Sequence, residues 1–159
     1  MQFFSDCIPT QVLCNIVYTD TSGADFEAQY GEISSNNRVL TTKEVHNFVK
    51  AVVANNKYEV YSHLVDTGVR LCHDDLLYLA CQAGAGDMAQ LIMENKVEPV
   101  DYVTKYGWTG VEIAAINGHY DIVKLLVQGH GANVNWVNPH SHYTPLENAI
   151  EGGHLHTVR

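Results

Sequence analysis

Basic residues are scarce in this chain of 159 residues. Nine Lys and Arg stand against 18 Asp and Glu, so the formal net charge is −9 at pH 7. Between Asp101 and Val158 the chain has only Lys105 and Lys124 as basic residues. A phosphate backbone or an anionic membrane would be repelled over most of such a surface. The charge therefore argues against nucleic acid and against a membrane as partners.

Long apolar runs and an export signal are absent as well. No stretch approaches the roughly 20 apolar residues that a membrane-spanning helix needs, and Met1–Asp6 lacks the basic start of a secretory signal. Four cysteines, Cys7, Cys14, Cys72 and Cys81, form no CxxC pair, and we expect reduced thiols, with Cys81 buried in a helix. The expected compartment is the cytoplasm, with the nucleus, or the host cytoplasm for a pathogen effector, as alternatives.

Motifs for catalysis and for metal binding are missing too. The sequence has no phosphate loop, no dinucleotide fingerprint and no paired-carboxylate motif. Among nine histidines, His140-Ser141-His142 would need outside ligands to hold zinc, so we expect neither a metal nor another cofactor. The enzymatic alternative is a nucleophilic Cys7 or Cys14 with His46 or His63 as base, although no nucleophile motif surrounds either cysteine.

A repeated segment is what the sequence does contain. Its best copy, residues 107–127, reads GWTGVEIAAINGHYDIVKLLV, and GANVN follows at 131–135 after one extra residue at Gly129-His130. Two more copies share its register, YTPLENAIEGGH at 143–154 and ACQAGAGDMAQLI at 80–92. Their marker alanines recur at intervals of 34 and 35 residues, at Ala80, Ala114 and Ala149. A fourth, worn copy begins at Val52, 28 residues before the first marker.

This pattern resembles the ankyrin repeat, which reads G-x-T-P-L-H-x-A-A-x-x-G-H-x-x-I-V-x-x-L-L with a period of about 33 residues. The resemblance covers residues 42–159, and it implies a mainly α ankyrin-repeat solenoid, in which helix-turn-helix pairs alternate with β-hairpin loops. The implied repeats are 42–73, which is degenerate, 74–103, 104–138 and 139–159, which is incomplete. Because a repeat cut at Arg159 would expose its apolar stripe, we expect this chain to be part of a longer protein or to have lost its final residues.

Signals for helix starts agree with this fold. T-x-x-E sequences begin at Thr41, Thr109 and Thr144 and predict capping boxes, in which the Thr and Glu side chains satisfy each other's free backbone N–H groups. The family usually has His where this chain has Glu112 and Glu147. We therefore expect the usual His contact between repeats to be absent and the capping box to take its place.

Signals for close packing and for helix ends agree as well. Ala114 and Ala115 are small enough for two helices of one repeat to approach closely, and Gly118 predicts a left-handed helix end. His119 and His154 occupy the Gly-His position of the family, where we expect the ring to bind loop backbone.

Residues 1–41 do not match the repeat. Val12–Tyr18 is apolar and β-branched, Thr19–Asp25 is turn-like and Phe26–Ile33 follows, so a short β-hairpin or extended cap is predicted. This segment either covers the worn first repeat or forms the edge of another domain.

The resemblance implies a non-catalytic protein–protein interaction module, a scaffold or adaptor that binds a protein and is itself a monomer. The alternative is the N-terminal part of a multidomain enzyme or effector, such as a cysteine hydrolase, whose repeats recruit the substrate. Ankyrin proteins generally bind through the hairpin tips and the concave face of the first helices. By position, the candidate partner-binding residues are Gln82, Tyr106, Trp108, Ile116, Asn117, Trp136, Pro139, His140, Ser141, Tyr143 and Glu151.

Three of the loop residues have alternatives. Tyr and Trp give large contact area with few rotatable bonds, but Trp108 could equally pack on the neighbouring hairpin. Trp136 stands where a small residue is usual, so it either wedges between loops or meets a ligand. Asn135 resembles the loop asparagine that some ankyrin proteins offer to a hydroxylase.

Overall fold

Four helix pairs make up the part of the chain that the structure describes. The structure is a computed structural model that describes residues 42–66 and 75–158, with side chains at 47–66 and 75–158. The helices are α1 (Thr42–Ala54), α2 (Tyr58–Asp66), α3 (Leu76–Gln82), α4 (Gly86–Glu94), α5 (Gly110–Ile116), α6 (Tyr120–Lys124), α7 (Pro145–Glu151) and α8 (Leu155–Val158). A π-helical turn, Leu125–Gly129, continues α6. None of the described helices is long and apolar enough to cross a membrane.

The pairs stack in two rows. The first helices of the pairs, α1, α3, α5 and α7, contact one another in chain order and form the inner row. The second helices, α2, α4, α6 and α8, do the same and form the outer row. The prediction of a mainly α solenoid is confirmed. Within the described residues the loops between pairs are turns without strands.

Two predicted capping boxes start inner helices. Thr109 accepts the backbone N–H of Glu112 at 3.3 Å, and the Glu112 carboxyl accepts the N–H of Thr109 at 3.0 Å. Thr144 and Glu147 make the same two bonds at the start of α7. These boxes satisfy backbone donors that a helix start otherwise leaves without partners. The third predicted box, at Thr41, lies outside the described residues.

The core lies between the two rows. Its largest fully buried apolar side chains include Phe48, Tyr61, Leu64, Leu77, Met88, Ile92 and Leu126. Burial of one such side chain stabilises the fold by about 2 kcal/mol. Since a single pair cannot bury its own apolar face, this stability depends on the neighbouring pairs. Cys81 is buried in α3 as expected, and burial raises the pKa of its thiol, with a smaller contribution from Glu98.

The π-helical turn accommodates the extra residue seen in the sequence. At the end of α4 the N–H of Val97 donates to the carbonyl oxygen of Ile92, five residues earlier, at 3.2 Å. At the equivalent place after α6 the N–H of Ala132 donates to the carbonyl oxygen of Leu126, six residues earlier, at 3.0 Å. One additional residue therefore fits inside the same closing bond, which widens the helix to the π form over Leu125–Gly129.

Several sequence predictions lie outside the described residues. They concern the hairpin or cap at residues 1–41, with Cys7 and Cys14, and Cys72 in the segment 67–74. The side chain of His46 lies outside them as well. The proposed repeat boundaries remain predictions.

Candidate functional site

The loop before α5 forms a turn, residues 104–109, which we call the first tip, and Lys105 and Tyr106 are its exposed residues. The backbone N–H of Thr104 donates to the carbonyl oxygen of Trp108 at 2.9 Å, and the hydroxyl of Thr104 accepts the N–H of Trp108 at 3.1 Å. These bonds leave Trp108 half-buried and Tyr106 outermost, with 63% of its surface exposed. The Lys105 ammonium lies 4.9 Å from the centre of the Tyr106 ring. The first tip thus presents an aromatic ring with one positive charge.

The loop before α7 forms the second tip, residues 138–144, around the buried Asn138. The side-chain oxygen of Asn138 accepts the N–H of His140 at 2.9 Å and the N–H of Ser141 at 3.3 Å. Its backbone N–H donates to the carbonyl oxygen of Tyr143 at 3.0 Å. This arrangement leaves His140 and Tyr143 exposed on a turn that is held from inside.

The two tips pack directly against each other. A Cβ atom placed on Gly107 would lie 3.0 Å from ring atoms of both Pro139 and His140, so a larger residue would push the second tip away. The indole N–H of Trp136 donates to the carbonyl oxygen of Gly107 at 3.3 Å. Trp136 therefore lies between the two loops, which is the first of the two alternatives that the sequence left open for this residue.

The remaining predicted site residues lie elsewhere. Gln82, Ile116 and Glu151 are at the C-terminal ends of inner helices, and Asn117 follows α5 directly. The tips precede the N-terminal ends of the same helices, and seven helical residues separate the two regions by about 10 Å along the axis. The structure thus brings Tyr106, Trp108, Trp136 and the second-tip residues together, and places the helix-end residues in a separate patch.

Histidine rings cover glycines of the preceding pair at these helix ends. The His119 ring lies over Gly84, where an added Cβ would come within 2.8 Å of it, and His154 covers Gly118 still more closely. Nε2 of His154 lies 3.0 Å from the carbonyl oxygen of Ile116, so the predicted bond to backbone forms. Gly118 has the left-handed backbone that was predicted, with φ of +71°. Within the described residues no group of three or more His, Cys, Asp or Glu side chains could hold a metal ion.

The family model described as ankyrin repeats (3 copies) matches residues 46–138 and 77–159. This chain belongs to the ankyrin repeat family. It is therefore a protein–protein interaction module, since ankyrin repeats mediate such contacts.

Two curated relatives are similar over the repeats. The chain is 30% identical over 112 residues to a glycerophosphocholine phosphodiesterase of Candida albicans. The aligned residues cover 66% of this chain and 10% of that relative. The chain is also 31% identical over 91 residues to an alpha-latrocrustotoxin of Latrodectus tredecimguttatus. These residues cover 55% of this chain and 6% of that relative. The chain thus spans a tenth or less of the length of these relatives.

The two positions where this ankyrin chain has Glu in place of His differ in environment. Glu112 is fully buried, and burial raises the pKa of its carboxyl, against smaller lowering effects from Thr109 and from the Asn138 amide. Glu147 is exposed, and the N–H and hydroxyl of Thr144 lower its pKa. The capping box therefore lowers the carboxyl pKa at both positions, and at Glu112 the effect of burial is larger, so the net shifts have opposite directions.

Replacement of each carboxyl by an amide, Glu112→Gln and Glu147→Gln, should change stability with opposite pH dependence. The folded pKa of Glu147 is lowered, so its contribution is present above the ordinary value of 4.5 and is lost as the pH falls through the folded pKa. The folded pKa of Glu112 is raised, so the wild type loses stability relative to its variant as the pH rises from 4.5 through the folded pKa. Urea unfolding at several pH values measures both differences, and parallel pH dependences would contradict the expectation.

Sequence reasoning missed two residues that shape the ankyrin tips. Asn138 organises the second tip, and Gly107 allows the tips to touch. An Asn directly before Pro139 is a known turn-initiating pair, so Asn138 could have been found. The contact at Gly107 depends on a residue more than 30 positions away, and no local signal marks it.

Proposed function

We propose that this chain is a non-catalytic scaffold or adaptor module whose protein partner contacts the first and second tips. The observation that carries the proposal is the packing of the two tips through Gly107, since Tyr106, His140 and Tyr143 are exposed on these two loops. A loop whose backbone is already held loses little conformational freedom when a partner binds, and an aromatic side chain on it has few rotatable bonds to order. Such a surface suits protein recognition.

The helix-end residues Gln82, Ile116, Asn117 and Glu151 form a second part of the proposed surface. Gln82, Asn117 and Glu151 are exposed and Ile116 is half-buried, so they can be reached by a partner that extends across the inner row. Their separation of about 10 Å from the tips requires a partner that is longer than one side-chain cluster. We propose a folded or extended protein segment of that length, bound to a monomer in the cytoplasm.

The second candidate is that the repeats recruit substrates for a multidomain enzyme or effector. One curated relative is named as a phosphodiesterase and another as a toxin, but the chain matches only 10% and 6% of their lengths. Cys81 is not a candidate nucleophile for such an enzyme, because burial raises the pKa of this thiol and so disfavours the reactive thiolate, while Cys7 and Cys14 lie outside the described residues.

A comparison of two tyrosine variants tests the tip surface. Tyr106→Ala combined with Tyr143→Ala should weaken partner binding at least about tenfold, since buried interface tyrosines are common binding hot spots. Tyr120→Ala on α6 is the matched control, because Tyr120 and Tyr143 are equally exposed, at 41%, on different surfaces.

The measurement is quantitative affinity purification from lysate with wild type and variants, followed by titration of the recovered protein. We expect the double variant to lose the recovered partner protein and the control to retain it. Equal recovery by all three proteins, or equal loss in both variants, would show that the partner does not use the tips.

A further inference from the structure

Two buried polar atoms that have no hydrogen-bond partner among the described residues lie at the base of the second tip. They are Oε1 of Glu112, an acceptor, and Nδ2 of Asn138, a donor, and both residues are fully buried. The Asn138 amide is close enough to the Glu112 carboxyl to lower its pKa. A buried donor or acceptor without a partner costs free energy, and a hydrogen bond between the two removes that cost for both.

The other side of Asn138 holds the tip. Its Oδ1 accepts the N–H groups of His140 and Ser141. If the amide turned over, Nδ2 would face these two N–H groups, and donors would oppose donors. The tip therefore needs the orientation in which Nδ2 points away from it, and an acceptor at Glu112 favours that orientation.

The capping box occupies only one oxygen of Glu112. Oε2 accepts both the N–H of Thr109, at 3.0 Å, and its hydroxyl, at 3.2 Å. Oε1 is left for a second donor. A carboxyl thus serves the start of α5 and Asn138 at the same time, whereas a side chain with one acceptor serves only one of them.

We propose that Glu112 is a positioning residue for the second tip: its free oxygen pairs with Nδ2 of Asn138 and so fixes the turn that presents His140 and Tyr143. The effect of Glu112 on the turn does not depend on the proposed function, whereas its effect on partner binding rests on it. Glu112 itself is buried and does not touch the partner.

The test compares Glu112→Gln with Glu147→Gln by residue-resolved amide hydrogen exchange at neutral pH. Gln at 112 has one oxygen, which stays with the two bonds from Thr109, so its NH2 group faces Nδ2 of Asn138 and the bond to Asn138 is lost. We expect exchange at His140 and Ser141 to become about tenfold faster, the effect of losing roughly one hydrogen bond. Glu147→Gln makes the same change in an exposed box and should leave both amides unchanged. The amide of Asn135, which donates to its own loop through Asn133, should be unchanged in both variants.

Each outcome decides the proposal. Unchanged exchange at His140 and Ser141 in Glu112→Gln, or equal acceleration in Glu147→Gln or at Asn135, overturns it. If Glu112→Gln does not fold, Glu112→His replaces it, because His is usual at this position in the family, and the same acceleration is expected. Faster exchange with unchanged partner affinity supports the role of Glu112 and contradicts the tip surface as the binding site, so the two failures are distinguishable.

Discussion

Gly118→Ala should destabilise the protein by about 3 kcal/mol, whereas Gly153→Ala should cost about 1 kcal/mol. Both glycines have left-handed backbone, with φ of +71° and +73°, so alanine brings nearly the same backbone strain at both. No described residue lies within 4 Å of a Cβ added at Gly153, while a Cβ at Gly118 would overlap the His154 ring. The difference between the variants therefore reports the contact between two pairs.

The larger loss has an identifiable origin. To make room for the new methyl group, the ring of His154 must move, and its hydrogen bond to the carbonyl oxygen of Ile116, about 1 kcal/mol, is lost. Further loss comes from strain in a closely packed contact. Midpoints of urea unfolding for wild type and the two variants measure the effect.

A double variant checks this cause. His154→Ala removes the ring that the methyl group would meet, so its combination with Gly118→Ala should lose less stability than the sum of the single changes. Additive losses, or equal losses in the two glycine variants, would mean that the ring relaxes without cost and that backbone strain alone matters.

Local features of the fold could be predicted from the sequence. Each capping box needs residues three positions apart, as in Thr109 and Glu112, and the left-handed end at Gly118 is a property of glycine itself. The extra residue near Gly129 could also be predicted, since the pattern of the repeat gives the number of residues expected between the second helix and the next loop. Its form as a π-helical turn could not, because a widened helix and a longer loop fit the same count.

The arrangement of the candidate site could be predicted only in part, for a related reason. Position in the repeat identified Tyr106 and Tyr143, and both are exposed on the tips. Contacts across the stack carry no such mark: the bond from Trp136 to Gly107 joins residues 29 positions apart. Gln82 and Glu151 are separated from the tips by the length of a helix. A pattern that marks binding positions along the chain does not give this distance.

The start of α3 departs from the pattern of α5 and α7. Asp75 takes the place of the capping threonine but has a φ of +66° and does not cap the helix, and its carboxylate lies 3.6 Å from the Lys50 ammonium. The buried Glu98 caps the helix instead, from more than 20 residues away. Its two oxygens accept the N–H groups of Leu76, at 2.6 Å, and Leu77, at 3.2 Å.

Glu98→Ala should therefore destabilise the protein by about 3 kcal/mol. The substitution leaves two backbone donors buried without a carboxylate, and each hydrogen bond to a charged group is worth about 1.5 to 3 kcal/mol. It also removes negative charge from the positive end of a helix dipole. Glu94→Ala is the matched control, because Glu94 is exposed and its carboxylate accepts a bond from the exposed Gln90 side chain, so its change should stay within about 0.5 kcal/mol.

Urea unfolding measures both variants, and hydrogen exchange at Leu76 and Leu77 locates the damage. If the carboxylate caps α3, these two amides exchange faster in Glu98→Ala than in wild type, by more than amides in α7 do. A loss of about 3 kcal/mol spread evenly over all four pairs would instead mean that Glu98 acts through packing. A loss no larger than that of Glu94→Ala would mean that water replaces the carboxylate at the start of α3, and the buried bond would then contribute little to stability.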